Sequence, residues 1–181
     1  MKRASLIRAL ACAAAAWALI APAHAEVRTV SPQGFTLQLK VASKADPQQA
    51  WKAFLKVQNW WSGAHTYSGD ARNLRIDPRA GGCWCETLPR GGAVKHGEVV
   101  LLMPDKLVRL STALGPLQSM GASGALTAQF AGGPNGGSTM TLTYAVSGAD
   151  AAGWTDVAKA VDSVMTEQAQ RFAAYADGLE K

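Results

Sequence analysis

Hydrophobic and polar residues alternate along several short stretches of this chain. Between residues 35 and 41 every second position is apolar, beginning with Phe35, and the positions between them are polar. The stretch 139–146 repeats the pattern, with Met140, Leu142 and Tyr144 set against threonines. A period of two residues is that of a half-buried strand. Both stretches are therefore predicted to be strands with one face in the core.

Turn residues divide the chain between positions 74 and 146 into short pieces. They include Gly81-Gly82, Gly91-Gly92 and the run "GGPNGG" at 132–137. The apolar runs between the turns predict further strands at 74–76, 83–88, 94–103, 107–114 and 122–130. Short strands joined by tight turns are typical of an antiparallel meander.

Two segments have the apolar period of a helix. The first begins at Asp46, which can cap the helix ahead of Pro47, while Gln49 can complete a capping box. Its signal fades near Val57. The second runs from about 153 to 177 and carries one wide apolar stripe of Trp154, Val157, Val161, Val164, Met165, Gln168, Phe172, Tyr175 and Leu179.

The order of these elements predicts an α+β helix-grip fold. A curved antiparallel sheet of about six to seven strands and a long amphipathic helix can both bury their apolar faces when the sheet wraps around the helix. We therefore expect one domain over residues 35–181, with an N-terminal extension at 26–34.

The first 25 residues are predicted to be a signal peptide. Three basic residues precede an apolar run at 9–21, and Ala23-His24-Ala25 has the small-x-small pattern of a cleavage site before Glu26. The apolar run is too short to cross a bilayer, which needs roughly 20 residues. The sequence thus predicts a periplasmic or secreted protein without a membrane span after cleavage.

The charge of the chain gives little support to nucleic-acid binding. The net charge is +5, but three of the basic residues lie in the predicted leader, which leaves 15 basic against 13 acidic residues. No basic run or stripe remains, so we expect no nucleic-acid partner. Nothing in the sequence indicates an oligomeric state.

The chain resembles the SRPBCC superfamily of START, Bet v 1-like and polyketide-cyclase-like domains. The resemblance is carried by "AWKAFLKVQNWW" (50–61), "DPRAGGCWCE" (77–86), "GEVVLLMPDKLVRLS" (97–111), "LGPLQSMGASGAL" (114–126), "STMTLTYAVSG" (138–148) and the helix from Trp154. It is most similar to the polyketide-cyclase and heat-shock-chaperone-ATPase-activator branches. The resemblance implies an apolar cavity between helix and sheet. A chaperone role is not carried over, because an exported protein would not meet a cytosolic ATP-driven chaperone.

The sequence provides large apolar side chains for such a cavity. The predicted ligand-binding residues are Trp60, Trp61, Tyr67, Trp84, His96, Met103, Leu117, Gln118, Met120, Met165 and Phe172. Phe172 is also well explained by ordinary core packing. Adjacent residues do not both face inward, so one of Trp60 and Trp61 is expected at the cavity mouth. The segment 114–121 is either a rim, with Gln118 as a polar contact, or a plain strand connection.

Two cysteines flank a tryptophan in "GGCWCE". In a strand Cys83 and Cys85 share one face and Trp84 takes the other. Without a bulge, and with an even turn, the two thiols share their face with His96 and Glu98, and Cys83, Cys85 and His96 are then weak candidate ligands for a soft metal ion. A disulfide would have to bridge Cα atoms roughly 6.5–7 Å apart in an extended strand, at the limit of its reach. Two reduced, buried cysteines are the favoured interpretation, and no metal or cofactor is expected.

Catalytic signals are weak. The chain has no G-x-S-x-G elbow, P-loop, Rossmann fingerprint or H-E-x-x-H motif. His96 is the candidate acid–base residue, with Glu86 or Glu98 as its partner, although Glu86 can equally pair with Lys95. The favoured function is an exported binding protein for a small hydrophobic or aromatic molecule, without an enzymatic role. The alternatives are a cyclase- or isomerase-like enzyme using His96, and a protein-interaction domain with a vestigial cavity.

Overall fold

The computed structural model describes residues 25–149 and 153–180. The elements in chain order are β1 (Ala25–Ser31), β2 (Gly34–Ser43), α1 (Pro47–Leu55), β3 (Leu74–Ile76), β4 (Cys83–Thr87), β5 (Ala93–Met103), β6 (Leu107–Thr112), β7 (Ser123–Gly132), β8 (Ser138–Ser147) and α2 (Trp154–Asp177). The predicted signal peptide lies outside the described residues apart from Ala25, and it stays a prediction.

The α+β helix-grip fold is confirmed. One curved antiparallel sheet has the strand order β1-β2-β8-β7-β6-β5-β4-β3, and α2 lies across its inner face. The sheet has eight strands rather than six to seven. The additional strand, β1, comes from the segment that the sequence analysis assigned to an extension. As an edge strand it is largely exposed, so it lacks the apolar alternation that marks the others.

The start of α1 has the predicted capping box. The Asp46 carboxylate accepts a hydrogen bond from the backbone N–H of Gln49 at 2.8 Å, and the Gln49 side chain accepts one from the N–H of Asp46 at 3.2 Å. The helix buries Ala50, Ala53 and Phe54 and contacts α2, β7 and β8. It closes one end of the core.

The second half of α2 is tightly packed. Phe172 is fully buried, and its ring lies within 6.3 Å of the rings of Phe54, Trp60 and Phe130. A void of about 10 Å³ lies beside Phe54 and Trp60, room for about one water molecule. The end of the helix is tied to the sheet, since Asp177 accepts hydrogen bonds from the Ser43 hydroxyl and the Lys44 N–H.

Strand β5 contains two bulges that decide which of its side chains face the core. Trp84 pairs with Gly97 and Cys85 pairs with Lys95, so His96 is an extra residue between them. On the other edge, Val99 pairs with Leu110 and Leu101 pairs with Arg109, so Val100 is extra. Each bulge reverses the inward and outward alternation of the strand.

The second bulge removes Met103 from the predicted site. Without it, Val99, Leu101 and Met103 would share the inner face. With it, Val99 stays buried, Leu102 turns partly inward, and Met103 is 44% exposed on the outer face.

The helices in the described part of the chain lack the length and apolar content that crossing a membrane requires.

Candidate ligand-binding site

A cavity of about 760 Å³ lies between the first half of α2 and the strands β3 to β5. The helix contributes Val157, Ala160, Val161, Val164 and Met165. The sheet contributes Trp84 and His96, and Trp61 and Leu74 extend this wall. Residues 64–67 and 114–120 form the rim, where Tyr67, Pro116 and Ser119 are exposed.

Side-chain size explains why the space lies at this end of the helix. The cavity face of α2 carries alanine and valine, which reach only a short distance toward the sheet. About two turns further on, the helix presents Phe172 and fills the same gap. Because α2 packs directly on β1 and β2, its position is set there, and the short side chains leave the opposite side open.

The cavity is too large to be dry and empty. At about 24 cal/mol per Å³, a sealed dry space of this size would cost about 18 kcal/mol. A domain has a total stability of only about 5–15 kcal/mol. The space therefore holds water or a ligand whenever the protein is folded.

A buried carboxylate and an imidazole meet at the cavity wall. Glu86 has no exposed surface, and its Oε2 lies 2.9 Å from Nε2 of His96, which is 5% exposed. The same carboxylate accepts hydrogen bonds from the backbone N–H groups of Tyr67, at 3.1 Å, and Ser68. Glu86 thereby fastens the rim segment to β4 and orients the His96 ring.

These hydrogen bonds determine the charge of Glu86. Burial by itself raises the pKa of this carboxyl, but hydrogen bonds from Ser68, Tyr67 and His96 outweigh burial and hold the pKa below its ordinary value. Glu86 is therefore ionised at neutral pH. An ionised carboxylate only accepts hydrogen bonds, so Nε2 of His96 donates to it.

The first bulge of β5 places His96 at this wall. It gives His96 the same inward direction as Trp84 and Glu86, and the Thr112 hydroxyl donates to the His96 carbonyl at 2.6 Å. The residue after the bulge has to be glycine, because a Cβ on Gly97 would lie 2.8 Å from the carbonyl oxygen of Ser111.

Hydrogen bonds also hold the rim together across the mouth. The Tyr67 hydroxyl donates to the carbonyl of Gly115 at 3.2 Å, and the Tyr67 ring lies 5.9 Å from that of His96. The backbone N–H of Leu114 donates to the Tyr144 hydroxyl, whose pKa burial raises to about 12. Gln118, expected to face a ligand, instead donates to the carbonyl of Lys95 at 3.0 Å and braces the rim from outside.

Seven of the eleven residues predicted to bind a ligand line the cavity: Trp61, Tyr67, Trp84, His96, Leu117, Met120 and Met165. Trp60, Met103, Gln118 and Phe172 do not. The expectation that the adjacent Trp60 and Trp61 do not both face inward is wrong, since each is 5% exposed. Both follow the 3-10 turn Val57–Asn59, where strand alternation does not apply, so Trp60 enters the packed core and Trp61 the cavity.

The cysteines lie on the outer face of the sheet, away from His96. The structure joins Cys83 and Cys85 in a disulfide with a Cα–Cα distance of 5.4 Å, and both side chains are half-exposed. The favoured interpretation, two reduced and buried thiols, is therefore wrong. The strand is locally less extended than the ideal spacing that made a disulfide look unfavourable.

The first bulge of β5, at His96, rules out two predicted arrangements: the metal site of His96 with the cysteines, and the pairing of His96 with Glu98. Glu98 lies outside and pairs with Lys95 at 2.5 Å, so neither residue reaches His96 or Glu86. Within residues 25–149 and 153–180, no three His, Cys, Asp or Glu side chains are grouped as metal ligands.

Several cavity residues were not predicted. Val157, Val161 and Val164 were assigned to the helix stripe without a role in the cavity, although three valines on one helical face before the larger Met165 and Phe172 were a usable signal. His65 is exposed at the rim, where its Nε2 lies 3.1 Å from a carboxylate oxygen of Glu167.

The fold and the site together define a helix-grip protein with an apolar cavity under the beginning of its C-terminal helix. No family model matches the chain, and no curated protein sequence matches it. Solved structures do match.

A structural-genomics protein from Rhodobacter sphaeroides is 19% identical, with a TM-score of 0.57 over 87% of this chain and 100% of that one. Protein SA2116 from Staphylococcus aureus, of unknown function, is 14% identical, with a TM-score of 0.59 over 80% and 94%. The solution structure of CalU16 from Micromonospora echinospora is 12% identical, with a TM-score of 0.55 over 86% and 74%. Identities this low show a shared fold and nothing further.

Proposed function

We propose that this protein binds a small apolar or aromatic molecule in the cavity between α2 and the sheet. One observation carries the proposal: the cavity has a volume of about 760 Å³ and walls formed mainly by valine, leucine, methionine and tryptophan. Ligand sites usually have volumes of about 300–1,000 Å³, with largely apolar walls and a few polar groups. The cavity has these properties.

Aromatic ligands suit the walls best. Trp61 and Trp84 lie edge to face with ring centres 5.1 Å apart, and Tyr67 and Trp84 flank the His96 ring. Aromatic rings attract one another in edge-to-face and offset arrangements, beyond what area burial alone provides. A flat ring system can therefore make contacts here that an aliphatic chain cannot.

We further propose that the protein is an exported member of the SRPBCC superfamily. The sequence stretches that resemble this superfamily and the helix-grip fold support the membership. The leader pattern of the first 25 residues supports export, and the Cys83–Cys85 disulfide suits an oxidising compartment.

An acid–base enzyme is the second candidate, and the Glu86–His96 pair favours it. A buried carboxylate that orients an imidazole at a cavity wall is an arrangement used in general acid–base catalysis. A carrier needs the shape of the cavity, whereas an enzyme would need His96 for turnover. A protein-interaction domain with a vestigial cavity receives less support, because it would be expected to have a packed interior.

Native mass spectrometry of protein purified from its own host tests the proposal. The binding function predicts a folded species heavier than the polypeptide, and the extra mass should disappear under denaturing conditions. A clean polypeptide mass from several growth conditions, together with no binding of added aromatic compounds, would contradict it.

A further inference from the structure

The polar atoms of the cavity are unevenly distributed. His65, Thr66 and Ser119 lie at the rim, where they are half-buried or exposed. His96 is the buried polar side chain of the wall, at 5% exposure. Among the described residues of the wall, His96 is therefore the buried side chain that can offer a ligand a hydrogen-bond acceptor.

The two ring nitrogens of His96 have different tasks. Nε2 donates to the ionised Glu86 carboxylate at 2.9 Å. Nδ1 has no hydrogen-bond partner among the described residues, on a ring that lines the cavity. In a neutral imidazole that donates through Nε2, Nδ1 is a hydrogen-bond acceptor.

The wall beside the His96 ring is largely apolar, and the rings of Tyr67 and Trp84 flank it. A buried acceptor without a hydrogen-bond partner is unfavourable. A ligand that donates a hydrogen bond to Nδ1 would satisfy this acceptor.

We infer that the ligand is an aromatic molecule with a hydroxyl group, and that this hydroxyl donates a hydrogen bond to Nδ1 of His96. The inference rests on the proposed binding function and specifies its ligand. Glu86 acts as a positioning residue, because it sets the tautomer that leaves Nδ1 as an acceptor. A phenol combines the flat ring that the walls favour with the donor that His96 requires.

Two probes that differ in a single donor test this inference. 1-Hydroxypyrene and 1-methoxypyrene have the same four-ring system, but the methyl ether cannot donate a hydrogen bond. Fluorescence titration of the wild-type protein should show that the phenol binds about tenfold more tightly than the ether, the gain from one well-made hydrogen bond. In His96→Phe, which retains a flat ring without the acceptor, the two affinities should become equal within about twofold.

A second measurement does not depend on the stability of the variant. Long-range ¹H–¹⁵N NMR of wild-type protein, assigned with His65→Gln, should show His96 protonated at Nε2 and unprotonated at Nδ1. Addition of 1-hydroxypyrene should shift the Nδ1 resonance toward the hydrogen-bonded range, and 1-methoxypyrene should leave it in place.

The outcomes separate this inference from the proposed function. Equal affinity for the two probes in the wild type, tighter binding of the ether, or a proton on Nδ1 would overturn the inference and leave a binding cavity. Failure of both probes to bind would overturn the inference, and the proposed function would then depend on the mass-spectrometry result.

Discussion

The two halves of α2 have the same apolar period, but the space between helix and sheet differs between them. From Met165 onward the helix packs against Phe54, Trp60 and the sheet, with a void of about 10 Å³ beside them. Before Met165 it borders a cavity of about 760 Å³. Hydrophobic periodicity therefore shows which face of a helix points inward, whereas side-chain size decides whether that face meets the sheet.

The packed half of α2 fixes the position of the whole helix, so the half beside the cavity needs fewer contacts of its own. Phe172 and the Asp177 contacts to Ser43 and Lys44 position the helix, and α2 lies directly on β1 and β2. The first half then needs no further contacts with β4 and β5. Close packing and the cavity therefore lie on different turns of one helix.

The largest expected effect is in the packed half. Phe172→Ala should lower the free energy of unfolding by about 3–5 kcal/mol, because it removes a buried ring from a close-packed cluster. Urea denaturation measures the loss. A loss below about 1 kcal/mol would show that this half is as loose as the other.

A matched pair of valines compares the two regions with the same chemical change. Val57 is fully buried beside α1, whereas Val161 is half-buried at the cavity. Val57→Ala should cost about 2 kcal/mol, from lost burial and the space it leaves, and Val161→Ala less than about 1 kcal/mol. Equal costs in urea denaturation would remove the distinction between the halves.

Because the pKa of Glu86, beside the cavity, is lowered by folding, we expect the free energy of unfolding to fall in acid. Its pKa is lowered in the folded protein, so below the ordinary value of 4.5 the unfolded chain binds a proton that the folded protein does not. Stability is therefore lost as the pH falls from about 4.5 through the lower folded pKa, with a slope of at most about 1.4 kcal/mol per pH unit from this group.

Glu86→Gln is the control for that pH dependence. This variant should be less stable at pH 7 but should lose less further stability between pH 5 and pH 3. Parallel pH profiles of the two proteins in urea denaturation would contradict the assigned role of Glu86.

The smallest expected effect is at the disulfide. It closes a loop of only two residues' separation, so it constrains the unfolded chain little, and it lies on the face opposite to the cavity. The double variant Cys83→Ser, Cys85→Ser should lose about 1 kcal/mol or less and should bind aromatic probes as the wild type does. A tenfold loss of probe affinity would show that the two faces of β4 are coupled.

The strands and helices were predicted well because their signals are local. The alternation around Phe35 and Met140 and the capping box at Asp46 each depend on neighbouring residues only. The bulges at His96 and Val100 have no comparable signal, because a bulge is set by the pairing of two strands. Gly97 was a hint, since glycine inside a strand often marks a bulge.

The candidate site was harder to predict because it depends on those bulges. They placed Met103 and Glu98 outside and brought His96 to the side of Glu86. The edge strand β1 was missed for another reason, since an exposed edge has little hydrophobic pattern.

A large side chain placed in the cavity from the helix shows whether ligands bind beneath α2. Val161→Trp places a large ring in the space, and Ala174→Trp adds the same ring at an exposed position of the same helix. In titrations with the fluorophore N-phenyl-1-naphthylamine, we expect one site of similar affinity in the wild type and Ala174→Trp, and at least tenfold weaker binding in Val161→Trp. Unchanged binding in Val161→Trp would show that the ligand site is not the cavity under α2.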